Sequence, residues 1–182
     1  LNCSYWLKIN TMIQVDSLNF TGVASQPLAF NGDLENWQTI TNSQIVGWNI
    51  NGNNQNANYQ TTDKYSGTYA LELQTQPPSF GGGNVRAAYA TTGYFTNNGP
   101  PKGGLPFSNQ IDTLVFYYKY LPADPNDSAV ISMSFSKNNV NIWGIQKYLG
   151  VSGGYQMVQI PINISSTPDT VIINLTSSKY MP

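Results

Sequence analysis

The chain has 182 residues, 40% of them hydrophobic and 13% aromatic, with eight Lys and Arg against nine Asp and Glu. That length gives one domain whose core can stand without disulfide or metal staples, and its aromatic content and near-zero net charge exclude disorder. Only 9% of the residues are charged, against about 25% in an average domain, which argues against a nucleic-acid partner because no basic face can be assembled.

The surface is therefore covered by neutral Asn, Gln, Ser and Thr, as suits an extracellular protein. Cys3 is alone, so no intrachain disulfide forms and the redox compartment is not assigned. No apolar run approaches the roughly 20 residues that cross a bilayer. The sequence begins at Leu1 without an initiator Met or a basic-plus-apolar leader, and reads as a mature or trimmed product from which any targeting signal has been removed. Triplets such as Asn126-Asp127-Ser128 and Asn174-Leu175-Thr176 arise by chance in an Asn-rich chain and carry little weight as glycosylation sites.

Alternation dominates and helical periodicity is nearly absent. Asn31-Gly32-Asp33 reads as a turn leading to Glu35, Trp37 and Trp48. Residues 51–60 (NGNNQNANYQ) form a loop by composition. Thr68 to Gln74 is a strand with Tyr69, Leu71 and Leu73 on one face and Glu72 and Gln74 on the other. Gly81-Gly82-Gly83 precedes a short strand from Val85 to Ala90, and residues 93–107 form a second long loop. Asp112 to Tyr120 turns Leu114, Phe116, Tyr118 and Tyr120 inward, with Val115, Tyr117 and Lys119 outward. Ala129 to Ser136 sets Ile131, Met133 and Phe135 against Val130, Ser132 and Ser134. Asn126-Asp127 and Asn138-Asn139 mark turns. Gln156 to Ile162 and Thr170 to Thr176 are the last strands, the latter with Val171, Ile173 and Leu175 inward. Eight or nine strands result, the content of an all-β sandwich of two antiparallel sheets.

Two blocks of residues carry a resemblance. NGDLENW, GW at 47–48 and TDKYSGTYALEL at 62–73 resemble the opening of galactose-binding-like jelly-roll carbohydrate-binding modules. GLPFSNQIDTLVFYYKYLPADPNDSAVISMSFSK, YQMVQIPI and TPDTVIINLTSS are similar to the carbohydrate-metabolism domain of secreted and surface proteins in polysaccharide-degrading Gram-negative bacteria. Together they cover about residues 30–178. The resemblance implies a jelly-roll β-sandwich, a secreted or outer-membrane-surface location and a glycan partner, in a module of a larger surface protein. It implies no established catalytic activity. Such domains usually end on a further strand, which the residues after Ser178 lack. Residues 12–22 (MIQVDSLNFTG) resemble that strand placed at the front. The chain thus divides into an N-terminal segment, 1–29, and a jelly-roll domain, 30–182. The strand at 10–21 either fills the vacant terminal position or belongs to an upstream domain; an unfilled edge beside an apolar core is an aggregation liability, which favours the first.

In the related modules, a Glu of the first strand and an Asp of the last hold a structural calcium together with backbone carbonyls. The position-matched residues are Glu35, and Asp16 if the N-terminal strand fills the vacancy; Asp63 is a further candidate. The alternative is turn chemistry at 31–33, with Glu35 bonding backbone amides. For the glycan, the outward residues Glu72, Arg86, Tyr117 and Lys119 are candidates for one concave face that grips sugar hydroxyls; the alternative is a solvated face with a cross-strand ion pair. Tyr59, Tyr94, Phe95, Trp143, Tyr148 and Tyr155 flank polar stretches as candidate stacking rings, whereas Trp37 and Trp48 match core positions. The chain has no His, no Gly-x-Ser-x-Gly and no phosphate-cradling loop, so it reads as a non-enzyme. Its rivals are a structural or adhesive spacer and, less well supported, a glycosidase with two carboxylates about 5 to 9.5 Å apart.

Overall fold

A computed structural model describes residues 11–25, 31–40, 42–50, 58–76, 85–95 and 101–180. Cys3, the glycines at 81–83, most of the loop at 51–60 and the division at 29/30 lie outside the described residues. The rest is an all-β sandwich. Among the described residues there are thirteen strands: β1 (Met12–Thr21), β2 (Trp37–Ile40), β3 (Asn42–Ile45), β4 (Asn49–Ile50), β5 (Asn58–Thr61), β6 (Ala70–Gln74), β7 (Tyr89–Thr91), β8 (Leu105–Pro106), β9 (Thr113–Leu121), β10 (Ala129–Lys137), β11 (Val140–Leu149), β12 (Gln156–Pro161) and β13 (Thr170–Thr176). They form a five-stranded sheet ordered β12-β9-β1-β6-β5 and a six-stranded sheet ordered β11-β10-β13-β7-β4, with β8 beside β13; β2 and β3 make a separate hairpin. All pairings are antiparallel. Among the described residues no helix is long and apolar enough to cross a membrane.

The inward faces follow the alternation. Leu71, Leu73, Leu114, Phe116 and Tyr120 of one sheet are fully buried, as are Phe135, Ile173 and Leu175 of the other. Phe20 on β1, Phe107 before β9 and Phe135 on β10 meet at ring-centroid distances of 4.9 to 6.4 Å, tying the sheets together with tilted ring contacts. The turn at Asn138-Asn139 has φ of 51° and 62°. This pair of left-handed residues is the one a tight hairpin between twisted strands requires, and Asn tolerates it best among non-glycines.

β1 lies at the centre of the five-stranded sheet, hydrogen-bonded to β6 on one side and β9 on the other. Its alternation changes phase midway. Ile13 and Val15 point inward before the break and Leu18 and Phe20 after it, all of them buried. A bulge between Asp16 and Asn19, with Ser17 at φ 54°, supplies the extra residue. The bulge aims Asp16 out of the sheet at the loop joining β5 to β6.

Candidate functional site

Each sheet has one outward face, and the candidate residues divide between them. On the five-stranded sheet the register sets Gln14 between Glu72 and Lys119, with Tyr59 beyond Glu72 and Tyr117 opposite both Asp16 and Met157. Glu72, Tyr117 and Lys119 therefore share a face. Arg86 does not join them: it sits, exposed, in a two-residue bridge with Gln76 just past the end of β6.

The polar groups of this face are largely spent on one another. Lys119 makes an ion pair with Asp63 and its ammonium lies 5.9 Å from the centre of the Tyr155 ring. The Tyr155 hydroxyl donates to the Asp63 carbonyl at 2.7 Å, and Gln14 Nε2 donates to Glu72 Oε2 at 3.2 Å. Tyr65 lies flat on Tyr117, centroids 3.5 Å apart and planes 9° from parallel, so each ring covers a face of the other.

Burial, then the nearby Asp63 carboxylate, raises the Glu72 carboxyl above its ordinary range, with Lys119 acting in the opposite direction. A raised carboxyl pKa means that the folded state holds the proton more tightly than the unfolded chain. The stabilisation is therefore complete below the unfolded value and is lost as pH rises through the folded one. Glu72→Gln keeps an acceptor for Gln14 and removes the charge. The variant is expected to unfold at a higher temperature than the parent at pH 7. The gap should close as the pH falls below about 4, where an ordinary carboxyl is protonated. Melting curves from pH 3 to 8 check this, and a gap that widens toward acid would contradict it.

The three calcium candidates, Glu35, Asp16 and Asp63, are bound otherwise. The Asp16 carboxylate is fully buried; its Oδ2 accepts from the amides of Tyr65 and Ser66 at 2.9 and 2.8 Å, and its Oδ1 from the Ser17 hydroxyl at 3.1 Å. Glu35 accepts from the amides of Thr68, at 2.7 Å, and Tyr69, at 3.0 and 3.1 Å. Between these two pairs stands Gly67, at φ 65°, where a Cβ would collide with the Glu35 carboxylate. Two carboxylates from separate parts of the chain thus clamp four amides of one loop. Calcium needs six to eight oxygens, whereas this loop turns N–H donors toward both carboxylates. Asp63 faces Lys119 instead. As arranged, the donor set fits an amide clamp and does not fit calcium.

The outward face of the six-stranded sheet is different in kind. A groove of about 160 Å³ is lined by Phe95, Pro101, Val130, Ser132, Gln146, Asn174, Thr176 and Lys179. Its floor comes from register. Ser132 on β10 pairs with Gln146 on β11 and Asn174 on β13, and Asn174 pairs in turn with Thr91 on β7. One step along, Tyr148, Val130, Thr176 and Tyr89 form a parallel row across the same four strands. Exposed Tyr148 accepts a hydrogen bond from Gln146 Nε2 at 2.8 Å. At the opposite end Phe95 packs edge-on against Tyr89, centroids 4.5 Å apart.

Tyr94 and Tyr148 are both about half exposed, at 52% and 57%, and Tyr94 lies beside the groove in a bridge with Lys102. Trp143 is partly buried on β11 and packs against Phe135, centroids 5.8 Å apart. Trp48 is buried and Trp37 is packed against the core. Sequence reasoning did not single out Ser132, Gln146, Asn174 or Thr176. Their one local signal is an outward, neutral polar position on a strand, and it becomes meaningful only once β10, β11 and β13 lie side by side. No protein-family model, curated protein or solved structure matches this chain.

Proposed function

We propose that this protein is a non-catalytic carbohydrate-binding module of jelly-roll type, acting at a cell surface or outside the cell, and that the glycan lies in the groove on the six-stranded sheet. The observation that carries the reading is the floor of that groove: neutral amide and hydroxyl groups with hydrogen-bonding capacity to spare, between aromatic rings at either end. Sugar hydroxyls both donate and accept, and a floor of Ser, Thr, Asn and Gln answers both needs. The likeness of residues 30–178 to carbohydrate-associated domains supports the same reading. The five-stranded face is the poorer host, because a ligand there would first have to break the Lys119–Asp63 and Tyr65–Tyr117 contacts.

A glycan array probed with the folded chain, followed by calorimetric titration of the hit, tests this. Gln146→Ala and Tyr148→Ala are each expected to weaken binding about tenfold, the equivalent of one hydrogen bond or one ring contact. Tyr117→Ala, on the opposite sheet, should leave affinity unchanged. Loss in Tyr117→Ala alone would move the site to the other face. Silence across the array would favour a structural or adhesive spacer.

A further inference from the structure

We infer, building on that reading, that the groove selects an uncharged, linear oligosaccharide laid across the strands, gripped at both ends and too long to be replaced by a single sugar. Three features of the groove carry this. The first is span. Tyr148 is on β11 and Tyr89 on β7, with β10 and β13 between them. Three steps between strands make about 14 Å, which one sugar ring cannot bridge and a short chain can. Tyr148 stands at one end, and Phe95, braced edge-on by Tyr89, at the other.

The second feature is charge. Lys179 is the one charged residue of the lining among the described residues; its ammonium donates to the Asn126 carbonyl and lies 5.0 Å from the centre of the Tyr180 ring. Among the described residues no carboxylate lines the groove to meet a cation, and the Lys179 ammonium is its single positive charge, too little to match the repeated charges of a uronic-acid or sulfated chain. A glycan charged at every ring would lose hydration along the rest of the floor without a partner.

The third is the inventory of unused hydrogen-bonding sites along the floor. Ser132 accepts from Asn174 Nδ2 at 3.1 Å and keeps its own hydroxyl proton to donate. Asn174 Oδ1 takes the Thr91 hydroxyl, which leaves one N–H of Nδ2. Gln146 retains its carbonyl oxygen and a second N–H, and Thr176, which donates to the Ser178 carbonyl at 3.1 Å, retains acceptor lone pairs. Unused donors therefore occur on all three of β11, β10 and β13, and unused acceptors on β11 and β13. Val130, in the row between Tyr148 and Thr176, offers an apolar patch to the C–H face of a ring.

The test is titration of the whole chain with a length series of the glycan that the array identifies, from mono- to hexasaccharide, alongside the same series carrying uronic acids. Affinity is expected to climb at least tenfold from the monosaccharide to the tetrasaccharide and then level off, with the charged series at least tenfold weaker throughout. Tyr148→Ala and Phe95→Leu should each flatten the climb, bringing the tetrasaccharide close to the disaccharide while melting temperature stays within a few degrees of the parent. A monosaccharide bound as tightly as the tetrasaccharide would overturn the inference and leave the proposed function standing, as would equal binding of the charged series. Absence of binding to any member would overturn both.

Discussion

Phe135→Ala is expected to lower stability by about 4 kcal/mol, the largest loss among the single substitutions considered. The ring is fully buried and contacts three others, Phe20 and Phe107 at 6.4 and 5.4 Å and Trp143 at 5.8 Å between centroids. Phe20 belongs to the five-stranded sheet and Phe135 to the six-stranded one, so truncation opens a cavity at the join between the layers. The surrounding strands are hydrogen-bonded on both sides and cannot collapse into the space, which places the cost toward the upper part of the range for a Phe truncation. In a domain of this size the fall in Tm is about 10 °C. Urea unfolding should show a lower midpoint at unchanged slope. A loss below 1 kcal/mol would mean that the ring cluster does not bridge the sheets.

Asp16→Ala is expected to cost about 3 kcal/mol, because two backbone amides lose a charged acceptor where water cannot replace it. Asp16→Asn should cost only about 1 kcal/mol. Its carbonyl oxygen can take the Tyr65 and Ser66 amides while its amide group turns to the Ser17 hydroxyl, so the geometry survives and only the charge is lost. This contrast separates the clamp from a cation site, where the lost carboxylate charge would make Asn a markedly weaker ligand than Asp. Calcium at millimolar concentration, or its chelation by EGTA, should leave the Tm of the parent unchanged. A rise of several degrees with calcium, abolished in Asp16→Asn, would place the ion in this loop. Thermal and urea unfolding of the two variants provide the measurement.

These two residues also show what could be read from the chain alone. Phe135 was legible: Ile131, Met133 and Phe135 alternate with polar residues, and strict alternation marks an inward face wherever a strand is regular. β11 was not, because its apolar residues do not alternate. It lies at a sheet edge, and a register shift opposite Phe135 and Ser136 inserts one extra residue, Ile142, between Asn141 and Trp143. The bulge changes the phase, and the pattern dissolves with it. Asp16 was readable as a carboxylate of interest but not in its role, since its partners, Tyr65 and Ser66, are 49 and 50 residues away.

The groove was the least legible feature. Tyr148 and Tyr94 stood out as aromatic residues in polar surroundings, but Ser132, Gln146 and Asn174 did not. Each is an unremarkable polar residue on the solvent side of its strand. Ser132 and Asn174 become neighbours only because β13 inserts beside β10 across 42 residues of sequence. The cluster of Glu72, Tyr117 and Lys119 was readable as one face for the opposite reason: those positions are the outward members of long, regular alternations. Arg86 fell outside it because the chain crosses from one sheet to the other near that residue.

The most direct test of the central claim is a two-dimensional amide spectrum of isotope-labelled protein, titrated with a neutral oligosaccharide that the array identifies. A glycan in the groove predicts saturable shifts concentrated at Val130, Ser132, Gln146, Tyr148 and Asn174, with the amides of Glu72, Tyr117 and Lys119 unmoved. Shifts centred on the five-stranded sheet, or none at saturating sugar, would contradict it.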